Sequence, residues 1–197
     1  IAPLAKGAFY HAGQVCVSVQ RIYAPNNIAK KVAKKLAAAA AKLVVGDAQA
    51  PDTEVGPLIS LREVTRIEAW VNEAIEGGAK CLTGGKKLSD TLYAPTVLLN
   101  PSESAKVSTH EIFGPVVCVY SYDNRLEAID RANHLDFAFQ ASVFTLNLAV
   151  AFATIKRLDA STVMVNDHTA FRVDWMPFAG RKHSGYGIGG IGYTMHD

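Results

Sequence analysis

Hydrophobic and polar positions alternate in two registers along this chain. Ile28, Val32, Leu36, Ala39 and Leu43 recur at helical spacing, with Lys30, Lys31, Lys34 and Lys35 on the opposite side. An amphipathic helix is expected from the Pro25-Asn26-Asn27 break to about Leu43, its lysines a solvated face. Val64, Ile67, Val71 and Ile75 repeat the period, and Ser60-x-x-Glu63 ahead of them has the form of a capping box. That helix should stop at Gly77-Gly78. Runs rich in Val, Ile, Leu and Tyr predict strands over 15–23, 79–83, 95–99, 116–122, 140–145 and 161–165. Asn124 and Asn147 open two more helices, running to about Asn133 and Leu158. Strands alternating with helices through short connectors predict an α/β fold. It has three layers, a mostly parallel twisted sheet with helices on both faces.

Past Asn166 the pattern stops. Residues 167–175 are irregular and polar-aromatic, and 177–190 are glycine-rich, which predicts a long ordered loop of the kind that carries function. Gly185-x-Gly187-x-Gly189-Gly190 lacks the strand-to-helix context of a phosphate cradle.

Composition narrows the class without naming it. The 197 residues, 49% apolar and 19% charged, suit one globular domain. A net charge of +2 gives no reason to expect nucleic acid or an anionic membrane as partner. Three cysteines, an odd count without CxxC or zinc-like spacing to histidine, argue against a disulfide framework or a metal site and for a reducing, cytoplasmic setting. No apolar run reaches the roughly 18–20 residues that span a bilayer. The first residue is Ile1 rather than Met, as if the chain were cut from something longer.

Candidate chemistry starts at Gly13-Gln14-Val15-Cys16. A glycine lets the backbone turn tightly and approach a ligand. A cysteine just beyond it could present a thiolate where backbone N–H groups face the atom attacked. Cys81, inside an expected strand, reads as a core residue. His11 is the one histidine near enough in sequence to pair with Cys16 in a cofactor-free thiol hydrolase.

Four stretches, in this order, resemble the C-terminal catalytic domain of the aldehyde dehydrogenase superfamily. They are Gly13-Gln14-Val15-Cys16 with Arg21, Glu111-Ile112-Phe113-Gly114-Pro115-Val116, Gln140-Ala141-Ser142-Val143-Phe144-Thr145, and Val165-Asn166 followed by Pro177-Phe178-Ala179-Gly180-Arg181-Lys182-x-Ser184-Gly185. Glu54-Val55-Gly56-Pro57-Leu58-Ile59 fits as well. The resemblance covers nearly the whole chain. It implies that Cys16 is the nucleophile that attacks an aldehyde and carries the acyl group as a thioester, with hydride passing to NAD or NADP. Glu111 is then the acceptor for the nicotinamide ribose hydroxyls, and Phe113 the aromatic beside the nicotinamide. Val15, Val17, Asn166 and Arg172 are candidates for the substrate pocket. Arg172 could pair with an anionic substrate or with Asp174 or Asp167.

The resemblance also marks departures. Ala179 stands where the family usually has glycine, and would pinch the loop if the position needs a positive φ. The family's cofactor-binding domain, its general-base glutamate and the asparagine of its oxyanion hole lie upstream and have no counterpart here. The end at His196-Asp197 falls short of the family's assembly strand. Residues 1–197 are therefore expected to form a single nucleophile-bearing domain of a homo-oligomeric enzyme that acts on a small anionic or hydroxylated aldehyde. Most of the cofactor site would lie outside them. The competing expectation is a folded remnant or interaction module that does not turn over alone.

Overall fold

A computed structural model of the chain describes residues 1–195. The expectation about the end at His196-Asp197 lies outside them. Contacts divide the chain into two compact units, Ile1–Asp123 and Asn124–Asp197.

The first unit is built on a four-stranded sheet. Its strands are β1 (Arg21–Pro25), β2 (Lys80–Thr83), β3 (Thr96–Leu99) and β4 (Val116–Tyr122), in the order β1-β4-β3-β2. β1 and β3 flank β4 in parallel, with Arg21 opposite Cys118 and Thr96 opposite Val116. β2 runs antiparallel at the edge. Successive side chains of a strand point to opposite faces. Val116 to Tyr120 and all of β3 are nevertheless buried, so both faces of the sheet centre are covered. That is why these strands read as continuous apolar runs.

Three helices serve this sheet: α1 (Ala2–Phe9), α2 (Asn26–Ala40) and α3 (Leu61–Glu76). α2 packs across all four strands. Its buried face is Ala29, Ala33, Leu36, Ala37 and Ala40, while Ile28 is exposed. The expected face of larger side chains was turned by about one position, because alanines let the helix approach the sheet more closely. The lysines are exposed as expected. α3 buries Val64, Ile67, Val71 and Ala74, with Ile75 at the margin. It begins after Ser60, but the capping box does not form. Arg66 and Arg62 take the Glu63 carboxylate instead, Arg66 Nε at 2.7 Å. A short helix, α4 (Lys106–Thr109), precedes β4.

Residues 15–20 are not strand, contrary to expectation. The Ser18 N–H closes a turn onto Val15 O, and the Val19 N–H donates to Gly7 O on α1, so neither joins a ladder. Cys81 is half-buried against the core.

In the second unit, α5 (Arg125–Asn133) and α6 (Leu148–Ile155) start as the sequence predicts. Asn124 Oδ1 accepts from Leu126 N, and Asn147 Oδ1 from Val150 N. β6 (Gln140–Val143) and β7 (Thr162–Val165) pair in parallel across α6. The glycine-rich segment is not a bare loop, as three two-residue strands form there. β8 (Phe178–Ala179) pairs with β10 (Ile188–Gly189), and β5 (Phe137–Ala138) with β9 (Arg181–Lys182). A final turn of helix, α7, spans Ile191–Thr194. Ala179 sits in β8 without a positive φ, so its methyl does not pinch the loop. At Gly180 a Cβ would lie 2.6 Å from Ser184 C and could not be tolerated.

Among the described residues no helix is long and apolar enough to cross a membrane.

Candidate active site

The cysteine turn is shaped by three consecutive left-handed residues. After α1 the chain coils through Tyr10–Gly13, with φ +51° at His11, +54° at Ala12 and +69° at Gly13. Only glycine adopts this conformation freely. Gly13 has a second reason to lack a side chain, since a Cβ there would meet Gly114 O at 2.0 Å. The Gly13–Gly114 contact presses the cysteine turn against the loop that bears Glu111 and Phe113. Gly114 is closed on its other side, where a Cβ would lie 2.2 Å from Ile67 Cδ1 of α3.

Cys16 is exposed on the turn between Val15 and Ser18. The turns on either side close through Gln14 N–H and Ser18 N–H, so neither uses the Cys16 N–H. The turn is anchored below by Ser18 Oγ on Ala8 O, at 3.3 Å. Gln14 anchors it sideways, its amide donating to Pro57 O at 3.2 Å and accepting from Ile59 N–H at 2.9 Å. Burial raises the Tyr10 pKa, and the negative charge Cys16 can carry raises it further. The His11 ring lies tilted against Tyr10, with ring centroids 4.6 Å apart.

A cleft of about 30 Å³ opens at this turn. Val15, Cys16, Glu111 and Phe113 share its wall with Gly13 and Gly114. The structure thus joins three of the sequence-derived site residues, nearly a hundred positions apart, together with Val15. Val17 is buried beneath the turn instead. Glu111 as a residue is exposed, yet partial burial of its carboxyl raises the pKa, which the Arg66 charge partly offsets. Phe113 exposes two-fifths of its surface and adopts φ +51°, an uncommon conformation for a bulky residue. Its ring also borders a wider groove of about 680 Å³ with Gln14, Pro57, Ile59 and Arg62.

Two residues that sequence reasoning passed over hold this loop. Gln20 Oε1 accepts from Ile112 N–H at 2.9 Å, while its Nε2 donates to His110 O at 2.7 Å and Val107 O at 3.3 Å. Arg66 Nη2 donates to Ile112 O at 2.6 Å. Gln20 was visible only as one polar residue, beside Ser18 and Arg21, in an otherwise apolar run. Arg66 left no signal, because its partner lies 46 residues away.

Asn166 and Arg172 lie in the second unit. Asn166, at φ +59°, uses both ends of its amide on Thr145, accepting from N–H at 2.9 Å and donating to O at 3.0 Å. Arg172 is exposed and lies over the Phe178 ring at 4.2 Å. Among the described residues no cluster of three or more potential metal ligands forms.

The family model that matches this chain is the aldehyde dehydrogenase family, over residues 1–197. The chain is 41% identical over 194 residues to a 3-sulfolactaldehyde dehydrogenase of Priestia aryabhattai, covering 98% of itself and 40% of that protein. Among solved structures it resembles aldehyde dehydrogenase 21 from Physcomitrella patens, in complex with the reaction product succinate. The TM-score is 0.95 at 36% identity, over 99% of this chain and 40% of that one. It also resembles a glyceraldehyde-3-phosphate dehydrogenase from Methanocaldococcus jannaschii complexed with NADP. There the TM-score is 0.93 at 36% identity, over 98% and 42%. The chain thus spans about two-fifths of the length of these relatives. With the motifs, the fold and the full-length match in agreement, the chain belongs to the aldehyde dehydrogenase family.

Proposed function

We propose that residues 1–197 are the C-terminal, nucleophile-bearing catalytic domain of an NAD(P)-dependent aldehyde dehydrogenase. One observation carries the reading: Cys16, Glu111 and Phe113 line a single cleft. In this reading the Cys16 thiolate attacks the aldehyde carbonyl carbon, and the carbonyl π electrons move to oxygen to give a thiohemiacetal. The Cys16 N–H, outside both flanking turns, is available to the developing oxyanion. When bound, NAD(P)+ supplies the hydride acceptor that takes the thiohemiacetal to the thioester level. Cys16 then holds the acyl group until water attacks it, releasing the carboxylic acid and the thiol. We assign no general base within this chain.

The residues present suit the nicotinamide end of the cofactor. An ionised carboxylate is acceptor-only, which matches the ribose diol, and Glu111 is exposed in the cleft. Phe113 offers an uncovered aromatic face beside it. The rest of the cofactor site belongs outside these residues.

For the substrate, a small anionic or hydroxylated aldehyde is favoured. Val15 forms the apolar wall beside the thiol. Arg172 keeps an exposed guanidinium on Phe178, and we assign it to the substrate's charged or polar end. Val17, buried beneath the turn, backs that wall, and Asn166 stays a proposed pocket residue. The relatives' names support this class: 3-sulfolactaldehyde, sulfoacetaldehyde and lactaldehyde dehydrogenases are among them. A reducing, cytoplasmic enzyme suits three free cysteines. Assembly as a homo-oligomer is part of the same reading.

A second reading is favoured by the two-fifths span: the isolated chain folds but does not turn over. Mixing the purified chain with NAD+ or NADP+ and an aldehyde panel separates the two, since NAD(P)H formation by the chain alone excludes the inert form. In the intact enzyme, aldehyde-dependent NAD(P)H formation that survives Cys16→Ala would refute the catalytic assignment.

A further inference from the structure

Ile112 is buried, and the residues on either side of it are not. With Ile112 held in the core, Glu111 and Phe113 on either side of it are both left exposed. Both reach the cleft that holds Cys16. Backbone torsion works against this arrangement, because Phe113 must adopt a left-handed φ of +51°. Such a conformation is strained and persists only where surrounding structure over-determines it.

What over-determines it is unusual in kind. Both backbone polar groups of Ile112 are satisfied by side chains from distant segments. Its N–H goes to Gln20 Oε1 and its C=O to Arg66 Nη2. Each side chain is itself pinned. The Gln20 amide also spans His110 O and Val107 O, which fixes its rotamer and the assignment of its oxygen. Arg66 is held by Glu63 at 2.7 Å and lies 4.4 Å over the Trp70 ring. The carboxylate and the ring therefore stand on one gripped residue rather than on a free loop.

We propose that Gln20 and Arg66 are positioning residues that grip Ile112 at both backbone polar atoms and so set Glu111 and Phe113 for the nicotinamide end of the cofactor. The inference rests on the proposed function and adds two residues to it. Neither acts on the reacting atoms. Because Gln20 follows Cys16 by four residues while its partners lie near Ile112, the grip also ties cofactor positioning to the nucleophile's own segment.

Gln20→Leu and Arg66→Met test this by two routes. Hydrogen–deuterium exchange on the chain itself should show the Ile112 amide losing protection in Gln20→Leu. In the intact enzyme, equilibrium Kd and KM for NAD(P)+ should rise about tenfold in each variant. The aldehyde KM and the rate of Cys16 alkylation by iodoacetamide should stay within about twofold of wild type. Unchanged cofactor Kd with an unprotected Ile112 amide overturns the proposal. So does a matching loss of aldehyde KM and Cys16 alkylation, which would report general loosening of the unit. If Arg66→Met does not fold, Arg66→Lys retains a donor for Ile112 O but loses the planar fork. It must then show an intermediate rise in cofactor Kd, and a wild-type value overturns the Arg66 half. Failure of the wild-type enzyme to bind NAD(P)+ overturns the functional reading first, and is recognised before any substitution is made.

Discussion

The two units of this chain bury apolar surface in different ways. In Ile1–Asp123 a continuous core runs from Phe9 through Leu36, Ile67 and Leu98 to Tyr120, and all three cysteines lie in that unit. In the following unit few side chains are fully buried, among them Ala128, Ile129 and Ala151. Phe144, Leu148, Phe152 and Trp175 remain substantially exposed. There the structure depends more on polar ties, such as Lys182 Nζ on Asn133 O and Leu135 O, and Asn166 on Thr145. A packed core specifies backbone to fractions of an ångström. The residues expected to do chemistry sit on the unit that has one.

Several substitutions would break or sharpen that contrast. The largest effect is expected at Cys16. Cys16→Ser should lower aldehyde-dependent NAD(P)H formation by at least about a thousandfold in the intact enzyme, read as kcat. Residual turnover near wild type would take the chemistry out of the first unit. Next come paired core truncations. Ile67→Ala, at a fully buried position, should cost about 3–4 kcal/mol in urea denaturation. Phe152→Ala, at a half-exposed one, should cost under about 1 kcal/mol. Equal costs would erase the distinction.

Gly13→Ala places a methyl on Gly114 O at a left-handed residue, and should destabilise the first unit by about 3 kcal/mol. Ala179→Gly in the second should cost under about 1 kcal/mol, by chain entropy alone. The smallest expected effect is electrostatic. Burial holds the Glu111 pKa above the usual glutamate value and Arg66 pulls it partly back. NAD(P)+ binding should therefore strengthen as pH rises through a limb above the ordinary glutamate range. Arg66→Met should move that limb higher. Stability has the opposite sign: folded Glu111 binds its proton more tightly than unfolded, so its contribution is lost as pH rises between the two pKa values. Glu111→Gln should flatten that slope in thermal melts.

Much of the fold was legible because it follows local rules. β4 appears at the residues expected, and Asn124 and Asn147 cap their helices. The misses are competitions that a local pattern cannot see. Residues 15–20 have strand composition, but α1 claims the Val19 N–H. Glu63 is placed for a capping box, but Arg66 outbids the backbone. On α2, side-chain size pointed to Ile28, whereas close approach selected alanine. Cys16, Glu111 and Phe113 could be named from motifs. The contacts that bring them together, Gly13 on Gly114 and Gln20 on Ile112, exist only once the chain has folded.

The stack from Gly13 through Gly114 to Ile67 leaves no slack between the nucleophile and the core. Two backbones and a helix side chain are in series, with no room for a single added methyl at either glycine. An engineered larger cleft therefore cannot come from easing these segments apart. It has to be carved from what protrudes into the cleft, chiefly Val15 and the Phe113 ring, while the stack is left intact.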